Sequence, residues 1–260
     1  MSRTVGVVLP AYRPDLGALE RYVRAIRDGL DPAAVRIELD APREGVVDRL
    51  EALPATVNAV PRRRGKGAAI TAGFEALSTD VLAFADADAS TPVTSLVDVV
   101  EGVTADGADV AVGSRRHPDA QVADHQTFAR RHLGDAFAWL ARRLVEPPLY
   151  DYQCGAKALT REVWTGVREH LYEPGFAWDI ELLAIAAALG YRVAEVPVRW
   201  EDQPGSTVSP VATSLRLARG LVLSRHRAKT IKREGVYPLL DAAGAPEPTL
   251  VDRLHADVED

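Results

Sequence analysis

The feature that most constrains this chain is the beat of its first half, where short β-branched runs alternate with helical ones. "TVGVVL" (4–9) halts at Pro10, and "LGALERYVRAIRDGL" (16–30) has apolar residues at helical spacing up to Asp31-Pro32. "VRIELD" (35–40), "ATVNAV" (55–60), "DVLAFA" (80–85) and "ADVAVG" (108–113) read as further strands, with helices near 66–78 and 92–104. Strands and helices in alternation predict an α/β fold: a Rossmann-like, mostly parallel sheet with helices on both faces. Such sheets bind ligands beyond the carboxyl ends of their strands. Pro10 to Asp15, Asp40, "PRRRGKG" and the pair Asp86 and Asp88 all fall at those ends, so one nucleotide-sized site is expected to touch all four.

The second half is less regular. Residues 124–145 read as an amphipathic helix with Phe128, Leu133, Phe137, Leu140 and Leu144 on one stripe. Residues 175–190 read as a buried helix and 191–200 as a strand; residues 208–233 form a basic helix whose apolar face carries Val211, Leu215, Ala218 and Val222. The 260 residues suffice for one large α/β domain. The expected division is a domain over 1–207, in two halves (1–115 and 116–207), then the basic helix and an acidic, loosely held tail over 234–260. A single cysteine, Cys154, leaves no cysteine-rich zinc site, so metal chemistry must rest on oxygen or imidazole ligands. No run has the roughly 18 to 20 apolar residues of a membrane span, and no signal peptide is read, so the expected location is cytoplasmic. The net charge of −6 conceals an asymmetry: residues 203–233 carry seven basic side chains and no acid, which asks for an anionic partner.

Two aspartates one residue apart at the end of a buried strand need a cation or donors to offset desolvation. Asp86 and Asp88 fit a Mg²⁺ or Mn²⁺ site, since hard divalent ions take oxygen ligands and bridge carboxylates to phosphates. Taken alone, the pair fits equally a cap on the helix that starts near Pro92, with Ser90 and Thr91 as rivals. In "RRRGKGAAITAGF" (62–74), Gly65 and Gly67 let the backbone approach an anion, and Lys66 adds charge. The string is neither a Walker A loop nor a dinucleotide fingerprint. Taken alone, it fits a basic helix start on the surface.

Joined in this order, "VVLPAY", "GKGAAITAGF", "DVLAFADADAST", "DVAVGSR", "YDYQCGAKALTREVW", "GFAWDIELL" and "YRVAEVPVRW" resemble the family-two, GT-A-fold glycosyltransferases, and among them the dolichyl-phosphate and polyprenyl-phosphate sugar synthases. The resemblance covers about residues 4–207 and implies that 1–115 is the nucleotide-sugar half and 116–207 the acceptor half. It implies that Asp86 and Asp88 hold the metal that neutralises a nucleotide sugar's diphosphate, and that Pro10, Ala11, Tyr12 and Asp40 frame the nucleotide, with Lys66 and Gly67 beside it. It puts Arg115 and Arg131 near an acceptor phosphate and Gln153, Asp179 and Glu181 on the acceptor side, where Gln153, Lys157 and Glu181 equally fit purely structural roles. Three strings depart from the family pattern: Arg13-Pro14 after Tyr12, "LDAPREG" after the second strand, and Gln203 to Thr207, which lacks an expected arginine and lysine.

The implied reaction is inverting transfer of a hexose from a UDP- or GDP-sugar to a polyprenyl or dolichyl phosphate. A phosphate monoester, with its second pKa near 6, is already nucleophilic at neutral pH and needs no strong base. A sugar-hydroxyl acceptor would need Asp179 as a base. The basic segment and the arginines of 124–145, with Phe128, Phe137 and Trp139, suggest peripheral contact with the cytoplasmic face of a membrane or with a membrane protein. No nucleic-acid partner is expected. The competing readings are a family-two transferase with a non-lipid glycan acceptor, a sugar-nucleotide pyrophosphorylase, and an inactive binding protein on the same fold. The position of the glycine loop after the third strand weighs against the second.

Overall fold

The computed structural model describes residues 3–123, 128–201, 210–233 and 247–259. Seven strands form one sheet: β1 (Val5–Tyr12), β2 (Ala34–Asp40), β3 (Thr56–Val60), β4 (Val81–Ala85), β5 (Val110–Ser114), β7 (Ala156–Thr160) and β8 (Val193–Pro197), in the order β3-β2-β1-β4-β7-β5-β8. A separate two-stranded ribbon pairs β6 (Gln121–Ala123) with β9 (Arg199–Glu201). The strand order reverses between β1 and β4, which opens a crevice at their carboxyl ends.

Alternation along the strands feeds two cores. Val7 and Leu9 of β1 and Val81, Ala83 and Ala85 of β4 pack under α1 (Leu16–Leu30), α2 (Val46–Glu51) and α4 (Val93–Thr104). On the other face, Val8, Leu82 and Phe84 pack under α3 (Lys66–Ala76), α6 (Arg161–Val167) and α7 (Trp178–Ala188), where Phe74, Phe84, Trp164 and Trp178 form edge-to-face and tilted aromatic pairs. The mostly parallel sheet with helices on both faces is therefore present as expected.

Three local expectations are corrected, and one strand appears where the sequence was assigned none. Pro10 does not end β1, which runs on to Tyr12 in register with Asp40 of β2; pairing with β4 stops at Val8–Phe84, so Pro10 sits where β1 borders the crevice. "AKALT" forms β7, antiparallel between β4 and β5; alanine and lysine give it little strand propensity, and burial between two strands makes it one. On α5 (Phe128–Leu144), Phe137 and Leu144 pack against the core while Leu140 is exposed. The basic helix α8 (Pro210–Ile231) turns away from its expected face: Leu217, Gly220, Leu221 and Ser224 are buried, whereas Ala218 and Val222 are exposed. A Cβ on Gly220 would lie 2.2 Å from the Ala177 Cβ, so the bare glycine lets α8 press on the turn before α7 and fixes its rotation.

The expected loose tail also contains structure. Residues Leu250–Glu259 form α9, with Leu250 and Val251 buried and the Leu250 N–H donating to the Leu171 carbonyl at 2.8 Å. The rest of that segment before Glu247, and the loop Gln203 to Thr207, lie outside the described residues. Placing valine at Gly220 is expected to lower the unfolding free energy by about 1 to 3 kcal/mol through overpacking, read as a lower midpoint in urea denaturation.

Candidate functional site

Asp86 begins where β4 ends. Its backbone N–H donates to the Gly155 carbonyl at 2.8 Å, continuing the β4–β7 pairing past Ala85–Ala156. A Cβ on Gly155 would stand 2.0 Å from Asp86 Oδ2, so the carboxylate can lie there only because that position is glycine. Asp88 turns the other way: it accepts the Ser90 N–H at 2.9 Å and the Ser90 hydroxyl, across a left-handed Ala89 (φ 60°). Helix α4 is capped at Pro92 without a side-chain bond, so neither aspartate caps it and that alternative falls away. Tyr22 of α1 donates its hydroxyl to the Thr91 carbonyl at 2.7 Å and anchors the turn. Asp88 is exposed at one side, yet protein crowding on the other and the charge of Asp86 hold its carboxyl above the ordinary aspartate value.

Lys66, the first residue of α3, lies underneath rather than on the surface. Its Nζ is 2.9 Å from Asp86 Oδ1 and 3.2 Å from Asp179 Oδ2. Burial works against its charge, and Asp179 followed by Asp86 more than reverses this, holding the ammonium above the usual lysine range. The other Asp179 oxygen is 2.7 Å from Nζ of Lys157, a fully buried lysine on β7 that also donates to the Cys154 carbonyl at 2.8 Å. Both ammoniums sit over the Phe84 ring, 5.2 and 5.4 Å from its centroid. Asp179 thus has each oxygen on a lysine, at the start of a helix buried on every side. Lys157 and Gly155 belong to the floor of this site, whereas the sequence reading put "QCG" (153–155) on the acceptor side and gave Lys157 a structural role. Their signal lay in "QCGAK", in a chain where only four of 31 basic residues are lysine.

Asp40 shapes the loop that delivers Lys66. Its Oδ2 accepts the N–H groups of Arg64 and Gly65 at 2.7 and 3.0 Å, and its Oδ1 takes Arg64 Nε at 2.8 Å. Arg64 also reaches Glu38, a buried carboxylate shared with Arg36 and Asn58. The glycines serve close packing, not an open anion cradle. Gly65 has φ 105° with Pro174 O only 2.4 Å from its would-be Cβ, and a Cβ on Gly67 would meet Trp178 and the Glu173 carbonyl at 2.5 and 2.6 Å. The Pro174 carbonyl also takes the Ala68 N–H at 3.1 Å. Beside this loop, Pro10 and Ala11 border the crevice and Tyr12 carries Arg63 over its ring at 4.1 Å and Arg13 at 5.2 Å.

Arg115 follows β5 and forks onto buried Asp151, with Nε and Nη2 at 2.6 and 3.0 Å. The Gln153 N–H donates to the same carboxylate at 3.0 Å, so Arg115 and Gln153 meet at Asp151, which the sequence reading passed over. Burial opposes the Asp151 charge, but Arg115 and these donors hold its carboxyl far below the ordinary range. Glu181 lies apart, bonded to the Tyr172 and Glu173 N–H groups at 2.9 and 2.8 Å and to Arg227 of α8, so it fixes the loop against α3 rather than facing the crevice. The Arg131 side chain lies outside the described residues.

The donor set of Asp86 and Asp88 suits a hard divalent cation: two carboxylates on one short turn, Asp86 seated against a bare Gly155, and open solvent beyond. Among the described residues no group of three or more histidine, cysteine, aspartate or glutamate side chains could hold an ion alone. Phosphate oxygens and water must complete the coordination. Mn²⁺ is therefore expected to bind weakly alone and about tenfold or more tighter with UDP or GDP present, measured by the free-Mn²⁺ EPR signal. Asp151 is depressed in the fold, so its stabilisation is complete above about pH 4 and fades as pH falls toward its lowered value. The stability gap between wild type and Asp151→Asn should narrow over that acid range in urea titrations. The buried Cys154 thiol, pushed up to about 11 chiefly by desolvation, should resist Ellman's reagent until the protein is unfolded.

Comparison with known proteins gives the family and the fold. The sequence model described as Glycosyl transferase family 2 matches residues 7–162. The chain is 34% identical over 218 residues to glycosyltransferase AglD of Haloferax volcanii, covering 80% of this chain and 34% of that protein. It is 31% identical over 174 residues to dolichyl-phosphate beta-glucosyltransferase of Mus musculus, covering 65% and 54%. The chain thus spans about a third to a half of the length of these relatives. Among solved structures, glucosyl-3-phosphoglycerate synthase from Mycobacterium tuberculosis, in complex with Mn²⁺, UDP and glucosyl-3-phosphoglycerate, superposes with a TM-score of 0.67 at 22% identity, over 86% of this chain and 80% of that one. The fold is GT-A.

Proposed function

The chain belongs to glycosyl transferase family 2, and on that premise we propose that it moves a hexose from a UDP- or GDP-sugar to a polyprenyl or dolichyl phosphate, inverting the anomeric carbon. The observation that carries the choice of acceptor is the clamp on Asp179. Each of its oxygens faces an ammonium and the residue is only 2% exposed, so it is poorly placed to take a proton from an incoming hydroxyl. A hydroxyl acceptor needs a base in reach, whereas a phosphate monoester arrives ionised. The names of the dolichyl-phosphate relatives support the same acceptor class.

In this reading the nucleotide lies across the carboxyl ends of β1 and β4, against Tyr12 and its arginines, with the diphosphate over Asp86 and Asp88. A divalent ion held there, Mg²⁺ or Mn²⁺, supplies electrostatic stabilisation of the departing nucleoside diphosphate. Lys66 adds a positive charge from beneath, its side chain only 10% exposed and so little screened by water. Asp40 keeps that lysine's loop in register.

The acceptor class also accounts for a surface. Trp139 and Val222 are about three-fifths exposed, at 61% and 59%, on α5 and α8. Arg143 lies over Trp139 at 5.1 Å and Arg142 over Tyr150 at 4.1 Å, while Arg216 and Arg219 are exposed along α8. Apolar side chains among arginines suit contact with anionic lipid. Phe137, expected at this surface, packs against the core instead, and Phe128 lies outside the described side chains. No helix among the described residues is long and apolar enough to cross a membrane.

A panel of UDP- and GDP-hexoses with polyprenyl phosphate and Mn²⁺ or Mg²⁺ should give a labelled product that partitions into organic solvent. Asp88→Ala should lower turnover by more than about a hundredfold. Product on a soluble glycan alone would overturn the lipid acceptor, and full activity of Asp88→Ala would overturn the metal assignment. Sedimentation with phosphatidylglycerol vesicles at low salt should carry the protein down, less so for Trp139→Ala/Val222→Ala; recovery in the supernatant sinks the lipid contact.

A further inference from the structure

Five ionisable groups crowd the floor of the crevice: Asp86, Asp88 and Asp179 against Lys66 and Lys157. Three carboxylates face two ammoniums; Asp86 and Asp88 open toward solvent, while Asp179 is buried beneath them. The two lysines are not equivalent. Lys157 is fully buried and holds Asp179 Oδ1 and the Cys154 carbonyl, so nothing at the crevice mouth reaches it. Lys66 reaches outward from the same carboxylate to Asp86, whose side chain is 38% exposed. The Lys66 ammonium therefore lies on an oxygen that a divalent ion on the Asp86–Asp88 pair would claim.

We infer that Lys66 is a resident counter-ion of Asp86, which yields that oxygen to the divalent cation and withdraws onto Asp179, where it meets the donor diphosphate. The inference rests on the reading of Asp86 and Asp88 as a divalent-cation site. The retreat is prepared in the fold: Lys66 keeps its contact with Asp179 Oδ2 and its place over Phe84 while giving up Asp86. Lys157 is the positioning residue, because its hold on Asp179 Oδ1 keeps the second oxygen turned toward Lys66. A like-charge repulsion is relieved at both stages. Without the cation, the ammonium relieves repulsion between Asp86 and Asp88; with it, the freed ammonium faces the extra negative charge that the nucleotide brings. No bond forms or breaks in this exchange.

Four lysines in the chain make the exchange readable by NMR of protein labelled with ¹³C-lysine, the Lys66 signal being assigned by its loss in Lys66→Met. Saturation with Mg²⁺ and no nucleotide should shift the Lys66 ε-methylene signal and leave those of Lys229 and Lys232 unmoved. By EPR, Lys66→Met should bind Mn²⁺ alone about tenfold tighter than wild type, and Asp179→Asn more weakly, since Lys66 then has no carboxylate to retreat to. A Lys66 signal that stays fixed while Mg²⁺ binds overturns the exchange, even if Mn²⁺ affinity changes in the variants. Equal or weaker Mn²⁺ binding by Lys66→Met overturns it as well. Failure of Mn²⁺ to bind even with UDP or GDP would instead strike the metal reading beneath it. None of these measurements depends on sugar or acceptor, so absence of transferase product leaves the exchange separately testable.

Discussion

The arrangement depends on a carboxylate that has almost no water. Asp179 sits at the start of a helix buried on every side, where an ionised carboxylate without partners would be strongly disfavoured. Two lysines from distant elements answer it: Lys157 from the middle of the sheet and Lys66 from the first turn of α3. That demand draws β7 against β4 and brings the glycine loop down onto the crevice floor. The aspartate turn is then shaped by the same pieces, since Gly155 leads into β7 and makes room for Asp86.

A second layer of buried charge keeps the loops in register. Asp40 takes two backbone N–H groups of the loop before Lys66, Asp151 gathers Arg115 and Gln153, and Glu181 holds the segment that presses on Gly65 and Gly67. Each carboxylate is satisfied by backbone donors and by an arginine. This division of labour leaves Asp86 and Asp88 as the carboxylates that face outward from the crevice floor.

The sheet and the aspartate pair were legible because both follow local rules: period-two alternation names strands, and the carboxyl ends of parallel strands name the place for ligands. The clamp on Asp179 was not legible, because residues 66, 157 and 179 come together only through tertiary pairing. A lysine in an arginine-rich chain was a signal for Lys157, but composition does not say which carboxylate it serves. The rotation of α8 was hidden for a related reason. Its apolar residues fit two stripes, and only the fit of Gly220 on Ala177 selects one. β7 escaped because alanine and lysine adopt a strand there only under pressure from both neighbours.

That strand has a consequence for how the protein is divided. β7 comes from the half of the chain read as serving the acceptor, yet it lies between β4 and β5 of the half read as serving the donor. Cutting the chain after residue 115 would strip β4 and β5 of their shared partner and open two raw sheet edges, each a template for aggregation. Donor and acceptor halves are thus a division of chemistry and not of folding. Neither half is a module that could be exchanged between relatives without carrying the centre of the other's sheet with it.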